Sequence, residues 1–472
     1  MEEGLMRDVR REKINRVRTV DLREGGNPFF RRLTQRYHDF RCFYPAPIVF
    51  AYLAKHGAVF FAKLAYCRII ESMKMMMFGR GRKLFPREAE VDALVDQIAV
   101  RLQEAGSSGG LAARRMIYSI RITGGLGDAL IIARLIRDLQ RLLDNGAQFD
   151  VYFQSPQVIE PFFSVIPGFR ECIHAASFHL TAPYYTFSLL ANQFVTFVDE
   201  YMDHQFLIRN EPKVIRLLGN VNSVRKDIDK YIAAHPTLDG AFADLAVRGG
   251  HKRYTYLHEM MGIPYGGDRL PLAVDAAVPV RHGLQSGRYI TVHDGWDNNF
   301  KLATHRPTKA LPMQTWIDAV RHIKAARPDL TIVQLGGRVG SDIPGVDLNL
   351  RKKLSFQEST SILANSALHL DSESGLVHLG ATLGVKSVVM FGPTNVEWFG
   401  YPQNANIKPK ECGNCWWSTD TWMDICPAGY EKPICTGSID ARDIVDSALA
   451  LLAAADSNPS PASDVTEPVS GS

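Results

Sequence analysis

The stretch MIYSIRITGGLGDAL, residues 116–130, decides how this chain folds. Met116 to Ile122 is an apolar run of strand length, the glycines at 124, 125 and 127 make a tight turn, and residues from about Ala129 to Leu143 carry apolar side chains at helical spacing. Strand, glycine turn and helix are the opening unit of a Rossmann-like fold. Downstream, residues 150–154 read as the second strand, and strands alternating with helices are expected to continue to about Val274. A second series follows, with strands at 288–293, 331–335, 368–370 and 387–391 and helices at 313–326, 356–365 and 375–383. Such alternation predicts a parallel sheet with helices on both faces. The fold class is therefore α/β, two Rossmann-like domains facing a cleft, with an N-terminal helical extension. The expected boundaries are 1–112, 113–280 and 281–455, with a tail at 456–472.

At 472 residues the chain exceeds what one hydrophobic core usually serves, which agrees with two domains. A net charge of +4 is too small for this size to mark a nucleic-acid binder. The basic residues concentrate at the front, at Arg7, Arg10, Arg11, Lys13, Arg16 and Arg18, and again at Arg80, Arg82 and Lys83. Between them, Ile48 to Phe78 is apolar but broken by Lys55, Lys63, Arg68 and Lys74 at roughly helical spacing. This segment reads as amphipathic helix, suited either to peripheral contact with the inner, anionic face of a membrane or to a cap on the main body. The sequence lacks a signal-peptide core and any run of about eighteen apolar residues, so a cytoplasmic location is expected. The Ser/Pro-rich stretch from 456 reads as disordered.

Three segments carry chemistry. In the glycine turn, Gly124, Gly125 and Gly127 let backbone approach a ligand, and Asp128 is either a working carboxylate or an acid placed by the helix dipole. A dinucleotide fingerprint starting at Gly125 needs a small residue at 130, where Leu130 stands, which argues against nicotinamide chemistry. The second segment is DSESGLVHLG, 371–380, followed by FGPT, 391–394. Amides at a helix start near Gly375 can receive a pyrophosphate, and Glu373 or Asp371 can bind sugar or ribose hydroxyls. Alternatively Ser372 or Ser374 simply caps the helix and His378 is packed beneath it. The third is KALPMQTW, 309–316, preceded by His305 and Arg306; Lys309 could neutralise a departing diphosphate or lie solvated.

Together these segments resemble family 9 glycosyltransferases, the lipopolysaccharide heptosyltransferases. The resemblance rests on Gly127-Asp128 after the first strand, on Lys309, Pro312 and Trp316 as K-x-x-P-x-x-x-W, on Gly375-Leu-Val-His378-Leu, and on Phe391-Gly-Pro-Thr394. It covers about residues 115–455. Where the family places an aspartate five residues before the histidine, this chain has Glu373. The resemblance implies a GT-B arrangement, with the acceptor on the first domain and a nucleotide sugar, ADP-heptose by family expectation, on the second. It implies an inverting displacement in which Asp128 is the catalytic base, with Lys309, Glu373, Ser374, Gly375, His378 and Thr394 serving the donor and no metal required for catalysis. The acceptor would be a lipopolysaccharide or other cell-surface glycan. Alternatives are O-heptosyl transfer to an autotransporter protein and a nucleotide-sugar-binding protein without turnover.

Of seven cysteines, Cys412, Cys415, Cys426 and Cys435 fall within 24 residues. Four thiolates at this density can hold a structural zinc or iron ion, or remain reduced structural thiols. The run Cys412-Gly-Asn-Cys415-Trp-Trp, with Trp422 and Cys426-Pro, resembles the iron-binding segment of autotransporter heptosyltransferases; a similar cysteine arrangement also occurs in lipopolysaccharide heptosyltransferases.

Overall fold

The computed structural model describes residues 116–143, 146–295, 306–337 and 339–457. The basic amphipathic extension, His305 and the tail from 458 lie outside the described residues, whereas residues 456 and 457, expected in the tail, close a helix. None of the described helices is long and apolar enough to cross a membrane.

The chain divides into two units, the first made of 116–123, Arg137–Ala233 and Met260–Ile263. Its sheet comprises β1 (Ile117–Ile122), β2 (Gln148–Phe153), β3 (Phe169–His174), β4 (Phe187–Ala191) and β5 (Val195–Phe197), in the order β3-β2-β1-β4-β5. The first four run parallel, and β5 folds back antiparallel on β4. Every residue of β1 and β4 is buried, the polar Ser119 and Arg121 included, as in a strand covered on both faces. Helix α1 (Leu126–Leu142) follows β1, and its residues up to Ile136 group with the second unit. Helices α2 (Pro156–Phe163) and α3 (Phe178–Thr181) complete the alternation.

The expected continuation of strands to Val274 does not occur. After Phe197 the described residues hold no strand before Tyr289; the chain instead forms α4 (His204–Asn210), α5 (Pro212–Ala233), α6 (Asp239–Arg248), α7 (Arg253–Met261) and α8 (Ala277–Arg281). The reason is legible in α5, whose buried residues Val214, Leu217, Val221, Ile228 and Ile232 recur at steps of one or two helical turns.

The second unit comprises Gly124–Ile136, Ala234–Glu259 and the chain from Pro264. Its sheet is built from β6 (Tyr289–His293), β7 (Thr331–Leu335), β8 (Leu348–Asn349), β9 (Leu368–Ser372), β10 (Ser387–Met390) and β11 (Ala405–Ile407). The order is β11-β10-β9-β6-β7-β8, all parallel. Counted within this sheet the strands run 3-2-1-4-5-6, the doubly wound order, whose direction of winding reverses between β6 and β9. The chains leaving these two strands diverge to opposite faces, so a crevice opens at their carboxyl ends. Helices α9 (Met313–Ala326), α10 (Phe356–Ala364), α11 (Gly375–Leu383), α12 (Val396–Phe399), α13 (Ile434–Gly437) and α14 (Ala441–Ser457) accompany the strands. A capping box, Ser355 with Glu358, starts α10, and Gly384 at φ 76° ends α11 in the left-handed conformation that glycine adopts without strain.

The core under this sheet joins Ile290, Val292, Leu370, Val388 and Met390 from the strands to Trp316, Val320 and Ile323 of α9. Trp316 is fully buried, and its indole N–H donates to Asp294 Oδ1 at 3.2 Å, just beyond the end of β6. The tryptophan of the K-x-x-P-x-x-x-W pattern is therefore an anchor that ties α9 to the strand end. Trp316→Ala is expected to cost about 3–5 kcal/mol of stability through the cavity it leaves. Denaturant unfolding checks this; a loss below about 1 kcal/mol would mean that the anchor is dispensable.

Candidate functional site

The crevice between β6 and β9 is bordered by His293 and Asp371, which are register partners. Asp371 is fully buried and accepts from His293 Nδ1 at 3.0 and 3.1 Å, from His369 Nε2 at 3.2 Å and from Ser374 Oγ. Burial alone would push this carboxyl up, but His293 and His369 outweigh it and hold it down at about 2. Ser374 accepts in turn from the Leu376 amide at 3.1 Å and so caps α11. The two carboxylates left open by the sequence are thus separated: Asp371 is engaged inside the protein by three side chains. Glu373, two residues on, keeps its side chain 12% exposed with Oε1 at 3.7 Å from His378 Nε2. Lys309 Nζ donates to the Glu373 carbonyl at 2.9 Å, which sets this cation against the Glu373 loop.

The start of α1 meets the start of α11. Gly124 has φ 119°, and a Cβ there would lie 2.4 Å from Asp128 Oδ2, so glycine serves both the turn and the close approach of the carboxylate. Asp128 Oδ2 accepts from the Gly125 amide at 3.0 Å, and Oδ1 accepts from Arg253 Nη2 at 2.6 Å. A Cβ on Gly127 would stand 2.4 Å from His378 Cδ2, and one on Gly375 would stand 3.0 Å from Leu126 Cβ. Side chains at 127 and 375 would drive the two helix starts apart. Their absence brings Asp128, His378 and Glu373 into one neighbourhood, where both helices present the positive ends of their dipoles. Thr394, in the loop after β10, is buried, and its hydroxyl has no hydrogen-bond partner among the described residues.

The cysteine segment has a position that its motif did not announce. Thr308, one residue before Lys309, donates its amide to the Met423 carbonyl at 2.8 Å and its hydroxyl to the Trp422 carbonyl at 2.7 Å. At the other end, the amides of Trp416 and Asn414 donate to the carbonyls of Pro393 and Gly392 at 2.8 and 3.3 Å. The segment therefore braces the Lys309 loop and the Thr394 loop together. Its path depends on left-handed backbone at Cys412, Gly413, Asn414 and Trp417. Burial first, and then the neighbouring thiols of Cys435, Cys426 and Cys412, push the Cys415 thiol up to about 11. Yet among the described residues no set of three or more His, Cys, Asp or Glu side chains is arranged to hold a metal ion. The four thiols of this segment run from exposed Cys412 to buried Cys435.

Three residues of this neighbourhood carried no signal in the sequence. Arg253 on α7 is buried and holds Asp128; Arg134 on α1 and Tyr401 after α12 are fully buried beside His378. None belongs to a motif, and each is brought in by tertiary packing.

No protein-family model matches the chain, and no curated protein matches it. Among solved structures, it is similar to the ADP-heptose lipopolysaccharide heptosyltransferase II of E. coli, with 15% identity and a TM-score of 0.43 over 72% of this chain and 100% of that one. It is also similar to a family 9 glycosyl transferase of Veillonella parvula, with 14% identity and a TM-score of 0.42, covering 72% of this chain and 97% of that one. An iron-containing dodecameric glycosyltransferase of enterotoxigenic E. coli matches with 15% identity and a TM-score of 0.47, over 72% of this chain and 76% of its own.

Proposed function

We propose that the chain is an inverting glycosyltransferase that moves a sugar from a nucleoside diphosphate to a hydroxyl of a cell-surface glycan, with ADP-heptose as the first donor to test. The observation that carries this reading is the meeting of Asp128 with Glu373 and His378 across two facing helix starts, next to Lys309. Donor, base and counter-charge are the services that a glycosyl displacement needs. Asp128 takes the proton of the acceptor hydroxyl as that oxygen bonds to the anomeric carbon. The bond from the anomeric carbon to the phosphate oxygen breaks on the opposite face, and the electron pair leaves with the diphosphate. Lys309, the dipole of α11 and the buried Thr394 hydroxyl are suited to receive the growing charge. Glu373 is suited to hold sugar or ribose hydroxyls. The described cysteines are all free, which fits the reducing cytoplasm, where we place the protein.

Calorimetric titration of the purified protein with ADP-heptose and with UDP-, GDP- and CMP-sugars tests the donor assignment. One nucleotide sugar is expected to bind, and Lys309→Ala is expected to weaken it about tenfold, the loss of one charge-assisted hydrogen bond. Binding of a sugar nucleotide other than ADP-heptose would keep the activity and replace the donor. Silence across the panel would overturn the proposal.

A further inference from the structure

Arg134 is fully buried on α1, and its side chain makes four hydrogen bonds within the second unit. Nη1 donates to Asp268 Oδ1 at 3.1 Å and to the Tyr401 hydroxyl at 2.9 Å; Nη2 donates to the His378 carbonyl at 3.1 Å and to Thr382 Oγ1 at 2.7 Å. The Tyr401 hydroxyl also lies 2.8 Å from His378 Nδ1. A guanidinium can only donate, so the phenol oxygen accepts from Arg134 and its single proton must point elsewhere. Tyr401 is itself fully buried, with its ring stacked on Tyr254 at 4.7 Å. Its hydroxyl has His378 Nδ1 as the acceptor within reach, and a buried hydroxyl proton left without one would be costly. Burial first pushes the Tyr401 phenol up and Arg134 pulls it down; the outcome, at about 12, keeps the proton on the oxygen.

His378 Nδ1 must then be the bare, accepting nitrogen. We propose that Tyr401, oriented by Arg134, fixes His378 as a neutral imidazole with its proton on Nε2, the nitrogen that faces Glu373. The arrangement runs from Asp268 through Arg134 and Tyr401 to His378, and Asp268 is itself held by Tyr265 and by Gln403 Nε2 at 3.1 Å. Resting on the proposed glycosyl transfer, this leaves His378 with an N–H to offer a donor phosphate, its Nε2 lying 3.7 Å from Glu373 Oε1, and denies it the role of base. Asp128 is left as the group that takes the acceptor's proton. Tyr401 and Arg134 are positioning residues, acting through His378.

The experiment is two-bond nitrogen–proton correlation on the full chain labelled at its histidines. Because the protein has 14 histidines, His378 is assigned by the signal missing from His378→Gln. The expected pattern is a bare Nδ1 and a protonated Nε2 at neutral pH, with Tyr401→Phe shifting the Nδ1 resonance or mixing the tautomers. In transfer assays Tyr401→Phe is expected to lower kcat about tenfold with the donor KM within about twofold, the size of one lost hydrogen bond. A wild-type His378 protonated at Nδ1, or at both nitrogens, overturns the proposal even if Tyr401→Phe does not fold. An unchanged His378 signal in folded Tyr401→Phe overturns it as well. The expected tautomer in a protein that binds no nucleotide sugar would uphold the arrangement and remove glycosyl transfer instead.

Discussion

Asp128→Asn is expected to lower kcat for glycosyl transfer by about a thousandfold while leaving nucleotide-sugar affinity within a few fold. The magnitude is that of removing a general base from a displacement whose nucleophile is a neutral hydroxyl. The asparagine keeps the volume of the aspartate and can still accept, through one oxygen, from the Gly125 amide or from Arg253, the two groups that bond Asp128 at 3.0 and 2.6 Å. Loss of fold is therefore not the expected cause of the loss of rate. Single-turnover kinetics with the donor found by calorimetry, alongside a titration of the variant with that donor, separates the two effects. A variant that binds and turns over like the wild type would reduce Asp128 to a helix-start acid favoured by the dipole. A variant that no longer binds donor would relocate the carboxylate from the acceptor's proton to the donor itself.

The second large effect is thermodynamic. Asp371→Ala removes a buried carboxylate and leaves His293 and His369 without the acceptor they share. Leaving a buried hydrogen-bond donor without its acceptor costs about 1–3 kcal/mol per group. The wild type should also reveal the carboxylate through pH. Asp371 is held at about 2 in the folded protein, below the ordinary value of about 3.9, so its contribution is present above that ordinary value and disappears as pH falls towards 2. Stability on the order of 2 kcal/mol should vanish across that window. Denaturant unfolding at neutral pH and at steps below pH 4 measures both quantities. Equal stability of the two proteins at neutral pH would show that the buried cluster contributes nothing net.

The doubly wound core of the second unit is readable because parallel strands buried on both faces leave mostly apolar runs, as at Tyr289–His293 and Ser387–Met390, and because its helices keep their spacing. The glycines at 127 and 375 were readable as motif letters, while their physical reason, the contact between two helix starts, was not. The strand order is likewise absent from any local window, yet it is what makes the ends of β6 and β9 the border of the crevice. The helical stretch from His204 to Met261 departs from the expected alternation because short apolar runs do not by themselves distinguish a buried strand from a helix. Arg134, Arg253 and Tyr401 were invisible for a different reason. A buried arginine looks like any other in a sequence until its partners, Asp128 for Arg253 and Asp268 for Arg134, are seen to be 125 and 134 positions away.

The brace formed by the cysteine segment touches the Lys309 and Thr394 loops through main-chain atoms: the carbonyls of Trp422 and Met423 on one side, the amides of Asn414 and Trp416 on the other. Every residue other than proline supplies the same carbonyl and amide. What must be inherited here is the route of the chain, and the alphabet along it is free to drift wherever the turns at 412–417 still form. Two proteins could share this support and show almost no common letters across it, so its descent would be written in shape.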